Sequence, residues 1–134
     1  MSRLSLFLVL LFSIAFLQCK KEPAYLEELD PYAEIASLIV NVGLCDLFND
    51  PYCDFPIPIP NATVYLYESE EDLLLDDPVL EQKVTGYSGQ VEFTQLEGSH
   101  IYYLKTICSY GTQESSENTP FRGIAYLEVL YEKP

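Results

Sequence analysis

From Asn61 to Thr106 the chain alternates apolar and polar residues with a period of two, and this rules out most of the folds open to a chain of its length. The stretch reads Asn61-Ala-Thr-Val-Tyr-Leu-Tyr67, then an acidic run, then Val84-Thr-Gly-Tyr-Ser-Gly-Gln-Val-Glu-Phe93, then Ile101-Tyr-Tyr-Leu-Lys105. Successive side chains of a strand point to opposite faces, so such a period puts one set on a core and the other toward solvent. A helix would scatter the same residues around its circumference. Gly86 and Gly89 interrupt the alternation where a hairpin turn needs residues that tolerate positive φ. The expected structure is the centre of a small β-sandwich.

The flanking segments supply the remaining strands. Leu38 to Cys45 is a first strand, with Leu38, Val40, Val42 and Leu44 on one face and Ile39, Asn41, Gly43 and Cys45 on the other. Both faces are largely apolar, which predicts cover on both sides. Asp46 to Pro60 is a proline-rich loop. In the second strand Ala62, Val64 and Leu66 face inward, while Thr63, Tyr65 and Tyr67 face outward. Glu68 to Asp77 is an acidic connection whose Leu73, Leu74 and Leu75 are expected to be partly buried in a helical turn. Val79 to Thr85 is a third strand near an edge, Val91 and Phe93 point inward in a fourth, and Gln95 to His100 is a turn. From Ile101 to Cys108 the period separates Tyr102, Leu104, Thr106 and Cys108 from Ile101, Tyr103, Lys105 and Ile107 without saying which set is core. Ser109 to Pro120 is polar throughout and is expected to be a solvent-facing loop. Phe121 to Glu132 is the last strand. The fold class is therefore all-β, a small sandwich of about seven strands over residues 37–134.

The first residues are of another kind. Met1-Ser-Arg3 is a basic start, and Leu4 to Leu17 is an apolar run. As a helix that run would reach ~21 Å, short of the ~30 Å hydrocarbon core, so it is expected to be the apolar part of a signal peptide. Ala15-Phe-Leu-Gln-Cys19-Lys-Lys21 then resembles the cleavage region of a bacterial lipoprotein of the Bacteroidota type, with Gln18 where a small residue is usual. The resemblance implies a signal peptide over 1–18 and a diacylated Cys19 as the first mature residue. It further implies an outer-membrane lipoprotein of the cell envelope, periplasmic or surface-exposed, held in the lipid bilayer by its acyl chains. Cleavage after Ser13-Ile-Ala15 by ordinary signal peptidase is the competing reading and would release a soluble protein. Residues 19–36 form an acidic tether broken by Glu22-Pro-Ala24 and Asp30-Pro-Tyr32.

A second resemblance covers Leu38 to Glu132. Ile59-Pro-Asn-Ala-Thr-Val-Tyr-Leu-Tyr67, Thr85-Gly-Tyr-Ser-Gly-Gln-Val-Glu-Phe-Thr-Gln-Leu96 and Tyr102-Tyr-Leu-Lys105 are similar to the strand and turn pattern of prealbumin-like sandwiches. That group includes carboxypeptidase-regulatory-like and collagen-adhesin B-type domains. The resemblance implies a fold and leaves the function open. Collagen-adhesin domains often join a first-strand Lys to a last-strand Asn, and neither strand here carries that residue. The hydroxyisourate hydrolases of the group use several His and Arg and a distinctive C-terminus, which Tyr131-Glu-Lys-Pro134 does not match.

Charge and residue types narrow the function. Of seven basic residues only Arg3 lies in the leader, leaving six against twenty-one acidic ones, a net of −15 after the leader. Phosphate contacts need Lys and Arg, so nucleic acid is not an expected partner. His100 is the one histidine, in a turn beside Ser99, and no nucleophile with a paired base has a recognisable spacing. No catalytic residue, cofactor or metal ligand is assigned, and an enzyme is not expected. Cys45 and Cys53 are eight apart across a turn and are the preferred disulfide, with Cys108 able to displace either partner. Two readings remain. In the first, a lipid-anchored, non-catalytic binding or structural module contacts an envelope protein or a glycan through Tyr65, Tyr67 and Tyr103. In the second, a secreted disulfide-stapled domain uses the acidic loop containing Asp46, Asn49, Asp50 and Asp54 to bind cations.

Overall fold

The computed structural model describes residues 34–134. The signal peptide, Cys19 and almost all of the tether lie outside these residues. The small all-β sandwich expected from the sequence is what they form. Its strands are β1 (Ile35–Cys45), β2 (Ile57–Pro58), β3 (Thr63–Tyr67), β4 (Glu81–Val84), β5 (Gln90–Glu97), β6 (Ile101–Cys108), β7 (Gly111–Asn118) and β8 (Gly123–Glu132), with one short helix, α1 (Glu70–Leu75).

β1 is the centre of the first sheet. β5 pairs with it antiparallel from Ile35 to Asn41, and β8 pairs with it parallel from Ala36 to Cys45. Beyond Asn41 the side that β5 leaves is taken by β2, which pairs with Gly43 and Leu44. The second sheet is antiparallel throughout, in the order β4-β3-β6-β7. The core lies between the sheets. Leu38, Val40, Val42 and Leu44 of β1 share it with Val91 and Phe93 of β5 and with Val129 and Tyr131 of β8. Val64 and Leu66 of β3 and Tyr102 and Leu104 of β6 face them from the second sheet. Burying each of the larger side chains stabilises the fold by roughly 1.5–3 kcal/mol relative to leaving it in water.

The double cover expected of β1 is confined to its C-terminal half. Gly43 is packed so closely that a Cβ would lie 2.8 Å from that of Pro56. Cys45 is buried, whereas Ile39 and Asn41 stay half-exposed. The proline-rich loop supplies this cover by folding back over the strand it follows.

Two tyrosines join the sheets with hydrogen bonds. Tyr131 of β8 donates its hydroxyl hydrogen to the Thr106 carbonyl at 2.9 Å, and the Tyr102 hydroxyl of β6 accepts from the Glu97 backbone N–H at 2.9 Å. Burial raises the pKa of both hydroxyls, and Cys108 beside Tyr131 raises that one further.

Three expectations are corrected. Ser109 to Pro120 is not a loop: Gly111–Asn118 is β7, an edge strand with register Cys108↔Gly111 to Ile101↔Asn118 against β6. Its side chains are exposed or half-exposed in turn, so no apolar period marks it. The Gly86–Gly89 turn is not a hairpin, because it carries the chain from β4 in one sheet to β5 in the other. Of the three leucines of α1 only Leu73 is buried; Leu74 and Leu75 are exposed, because a six-residue helix turns one face to the sheet.

Opposite the disulfide end, the β5–β6 turn is wedged against the chain that leaves β7. A Cβ on Gly98 would lie 2.1 Å from the Phe121 carbonyl oxygen, whereas a Cβ on Gly86 would meet nothing within 4 Å. Gly98→Ala is therefore expected to lower the urea-unfolding free energy by about 1–3 kcal/mol, and Gly86→Ala to leave it within about 0.5 kcal/mol. Equal effects of the two would show that the β5–β6 turn is not packed as described.

Candidate functional site

The outward residues of the second sheet form a face whose layout follows from strand register. Tyr65 of β3 lies between Gln82 of β4 and Lys105 of β6, and Lys105 lies opposite Glu114 of β7. One step along, Tyr67 lies beside Tyr103, and Tyr103 beside Ser116. Residues directly opposite across a pair of strands are close enough to act together. Tyr65, Tyr67, Asp76, Val79, Lys105 and Ile107 line a shallow, open depression of about 260 Å³ on this face.

Asp76 makes the face more than a row of tyrosines. α1 starts on the N-cap Ser69, whose hydroxyl accepts from the Asp72 N–H, and ends at Asp76 in the left-handed conformation. That ending turns the Asp76 carboxylate back over the sheet. There it accepts a hydrogen bond from the ammonium of Lys105 and another, at 3.3 Å, from the Tyr67 hydroxyl. The hydrogen bond from Lys105 holds the Asp76 pKa below its usual value, and the same bond raises that of Lys105. The Tyr67 pKa is raised, first by burial and then by the charge of Asp76. A fixed ion pair thus borders half-exposed aromatic rings.

Of the three tyrosines read as contact residues, Tyr65 and Tyr103 are half-exposed. Tyr67 does face outward from its sheet, but it is only 1% exposed and is corrected from a contact residue to a supporting one. α1 packs on β3 and β6 and closes over this part of the sheet. Tyr67 and the buried Leu73 both lie outside the inter-sheet core, on the sheet's other side.

The remaining candidates are placed as follows. Cys45 and Cys53 form the local disulfide, and Cys108 is free and half-buried on the core face. The acidic loop turns its side chains on itself. Asp46 accepts from Asn49 at 2.8 Å and pairs with Lys133 at 3.1 Å, while the two oxygens of Asp50 accept from the backbone N–H groups of Asp54 and Phe55. These carboxylates brace the loop and do not converge on a point. Among the described residues no group of three or more His, Cys, Asp or Glu could hold a metal ion. His100 donates from Nε2 to the Glu68 carbonyl at 3.1 Å and stands edge-on to Tyr102, which ties a turn to the start of the acidic connection. Comparison with protein-family models and with curated proteins finds no match.

Asp76 was missed in the sequence because its role depends on where a six-residue helix ends. A usable signal was Lys105, a cation on an outward strand position in a chain with very few.

Two outcomes test this arrangement. Tyr67→Ala is expected to destabilise the domain by about 3–5 kcal/mol in denaturant titration, as loss of a buried aromatic does, whereas Tyr65→Ala stays within about 1 kcal/mol. The ion pair also sets a pH dependence. Its Asp76 contribution is present above the usual carboxylate range and is lost as pH falls through the depressed folded value. Its Lys105 contribution is present below the usual lysine range and is lost as pH rises through the elevated folded value. In an NMR titration Lys105→Met should move the Asp76 midpoint upward; an unmoved midpoint would show that the pair does not form.

Proposed function

We propose that this chain is a membrane-anchored lipoprotein. Acylated Cys19 holds a non-catalytic binding or structural module, residues 34–134, at the cell envelope, and the module belongs with the prealbumin-like sandwiches. Its contact face is the outer side of the second sheet, where Tyr65 and Tyr103 flank the Lys105–Asp76 pair. The partner is an envelope protein or a glycan. One observation supports the reading above the others: an open, shallow face carries half-exposed rings beside an ion pair that is also hydrogen-bonded to Tyr67. Rings with two rotatable angles offer contact area at low entropic cost, and a pre-formed ion pair supplies direction without reorganisation. The open depression suits the surface of a larger partner better than an enclosed small molecule. The acidic-loop reading has less support, since Asp46 and Asp50 are engaged within their own loop.

The anchor is tested by the intact mass of the native protein from the membrane fraction, alkylated with and without prior reduction. The expected mass starts at Cys19, carries acyl chains, and shows one disulfide and one free thiol. A mass starting at Phe16 without lipid would remove the anchor. The face is tested by photo-crosslinking in the native envelope from a probe placed at Tyr103. Tyr65→Ala with Lys105→Ala should reduce the crosslinked product at least about fivefold, the loss of roughly 1 kcal/mol of contact, with the fold retained by circular dichroism. Undiminished crosslinking would move the contact face elsewhere.

A further inference from the structure

The end of the sandwich where β1 finishes carries a second surface of different chemistry. The loop from Asp46 to Pro56 holds Phe48, Tyr52 and Phe55 at 92%, 87% and 85% exposure. Tyr87 stands 97% exposed in the turn that packs, through Gly89, against Val42, Pro58 and Ile59 at the same end. Single exposed apolar residues are ordinary, but four nearly naked rings at one end are not.

We propose that this loop is a docking tip for the surface of a zwitterionic phospholipid bilayer. Three observations carry the inference. The first is the backbone. The N–H groups of Asn49, Asp50, Cys53, Asp54 and Phe55 all bond within the loop, that of Ile59 bonds to Val42 of β1, and that of Asn61 bonds to Thr85, just after β4. Positions 51, 56, 58 and 60 are proline and have no N–H to satisfy. The N–H groups of Leu47, Phe48 and Tyr52 make no such bond and keep water as their partner at headgroup depth, while the five paired ones enter the interface with their donors satisfied. The second is rigidity: the Cys45–Cys53 bridge closes the loop, so little ordering entropy is lost when it docks.

The third is charge. Lys133, the cation beside the loop, is paired with Asp46, so among the described residues Asp54 and the rings face outward with no free cation beside them. Anionic lipid would repel such a tip, and a second copy of this chain, itself at −14, would repel it too. The ammonium groups of zwitterionic headgroups suit it, since cations are attracted to aromatic faces and to carboxylates. Phe and Tyr rings then sit at headgroup depth, as interfacial aromatics do. The inference does not depend on acylation of Cys19.

The chain has no Trp, so one introduced at the tip reports that site alone, even in a full-length chain whose first residues also bind lipid. Phe48→Trp is compared with Tyr126→Trp, an exposed position on the outer face of the first sheet. Both are mixed with phosphatidylcholine vesicles carrying brominated acyl chains. The indole at 48 should shift its emission to shorter wavelength and be quenched at least about twofold more than the indole at 126. Adding Tyr52→Ser and Phe55→Ser should abolish that difference while circular dichroism stays unchanged. Replacing a third of the lipid with phosphatidylglycerol should reduce it. An indole at 48 quenched no more than the indole at 126, whether or not the chain binds the vesicles, would overturn the proposal. Stronger quenching on anionic than on zwitterionic vesicles would also overturn it. Neither outcome bears on the intact mass, so the anchor and the tip stand or fall separately.

Discussion

The parallel pairing of β1 with β8, ten residues from Ala36↔Gly123 to Cys45↔Glu132, is the constraint on which the rest of this structure depends. Parallel strands cannot be joined by a tight turn, so the chain must leave β1, build other structure and come back. Here it builds the whole second sheet and β5 in the interval. β1 is consequently buried between two neighbours and against a facing sheet, and Leu38 and Val40 are entirely excluded from water. The hydroxyls of Tyr131 and Tyr102 reinforce the arrangement, because each bonds a backbone group of the opposite sheet, the buried Thr106 carbonyl and the Glu97 N–H.

The same return path places the two proposed contact surfaces. The second sheet turns one face to the core and the other outward, and the connection from β3 to β4 folds back over part of that outward face as α1. Its last residue, Asp76, collects Lys105 and Tyr67 and leaves Tyr65 and Tyr103 at the margin. The proline-rich loop after β1 folds the other way, covering Gly43 with Pro56 and leaving its own rings outside. One face is a sheet with a held ion pair, and the other is an apolar tip clamped by a disulfide. They differ in chemistry, as surfaces for different partners would.

Much of the sandwich was legible. The inward set Ala62, Val64 and Leu66 and the pair Val91 and Phe93 are all buried, because a period of two maps directly onto the faces of a strand. The Cys45–Cys53 bridge was legible because eight residues across a turn bring two such side chains together. β7 was not, since an edge strand wet on most of its surface carries no apolar period; it exists because β6 offers it a ladder of backbone hydrogen bonds. The core face of β6 was also hidden. Thr106 and Cys108 weaken one set as Ile101 and Ile107 strengthen the other, and only the facing first sheet decides between them.

Tyr67 marks the division between sequence and tertiary structure. By itself the sequence determined that Tyr67 shares a face with Tyr65, that this face is opposite Val64 and Leu66, and that the domain is all-β. Strand period, turn residues and cysteine spacing are local properties, and they settle such matters. What covers a face is not local. The tertiary structure decided that α1 closes over Tyr67, that Asp76 meets Lys105 across twenty-nine residues, and that β8 returns parallel to β1. Each of these depends on where a distant segment comes to rest, and that is set by the burial of the whole core rather than by the residues nearby.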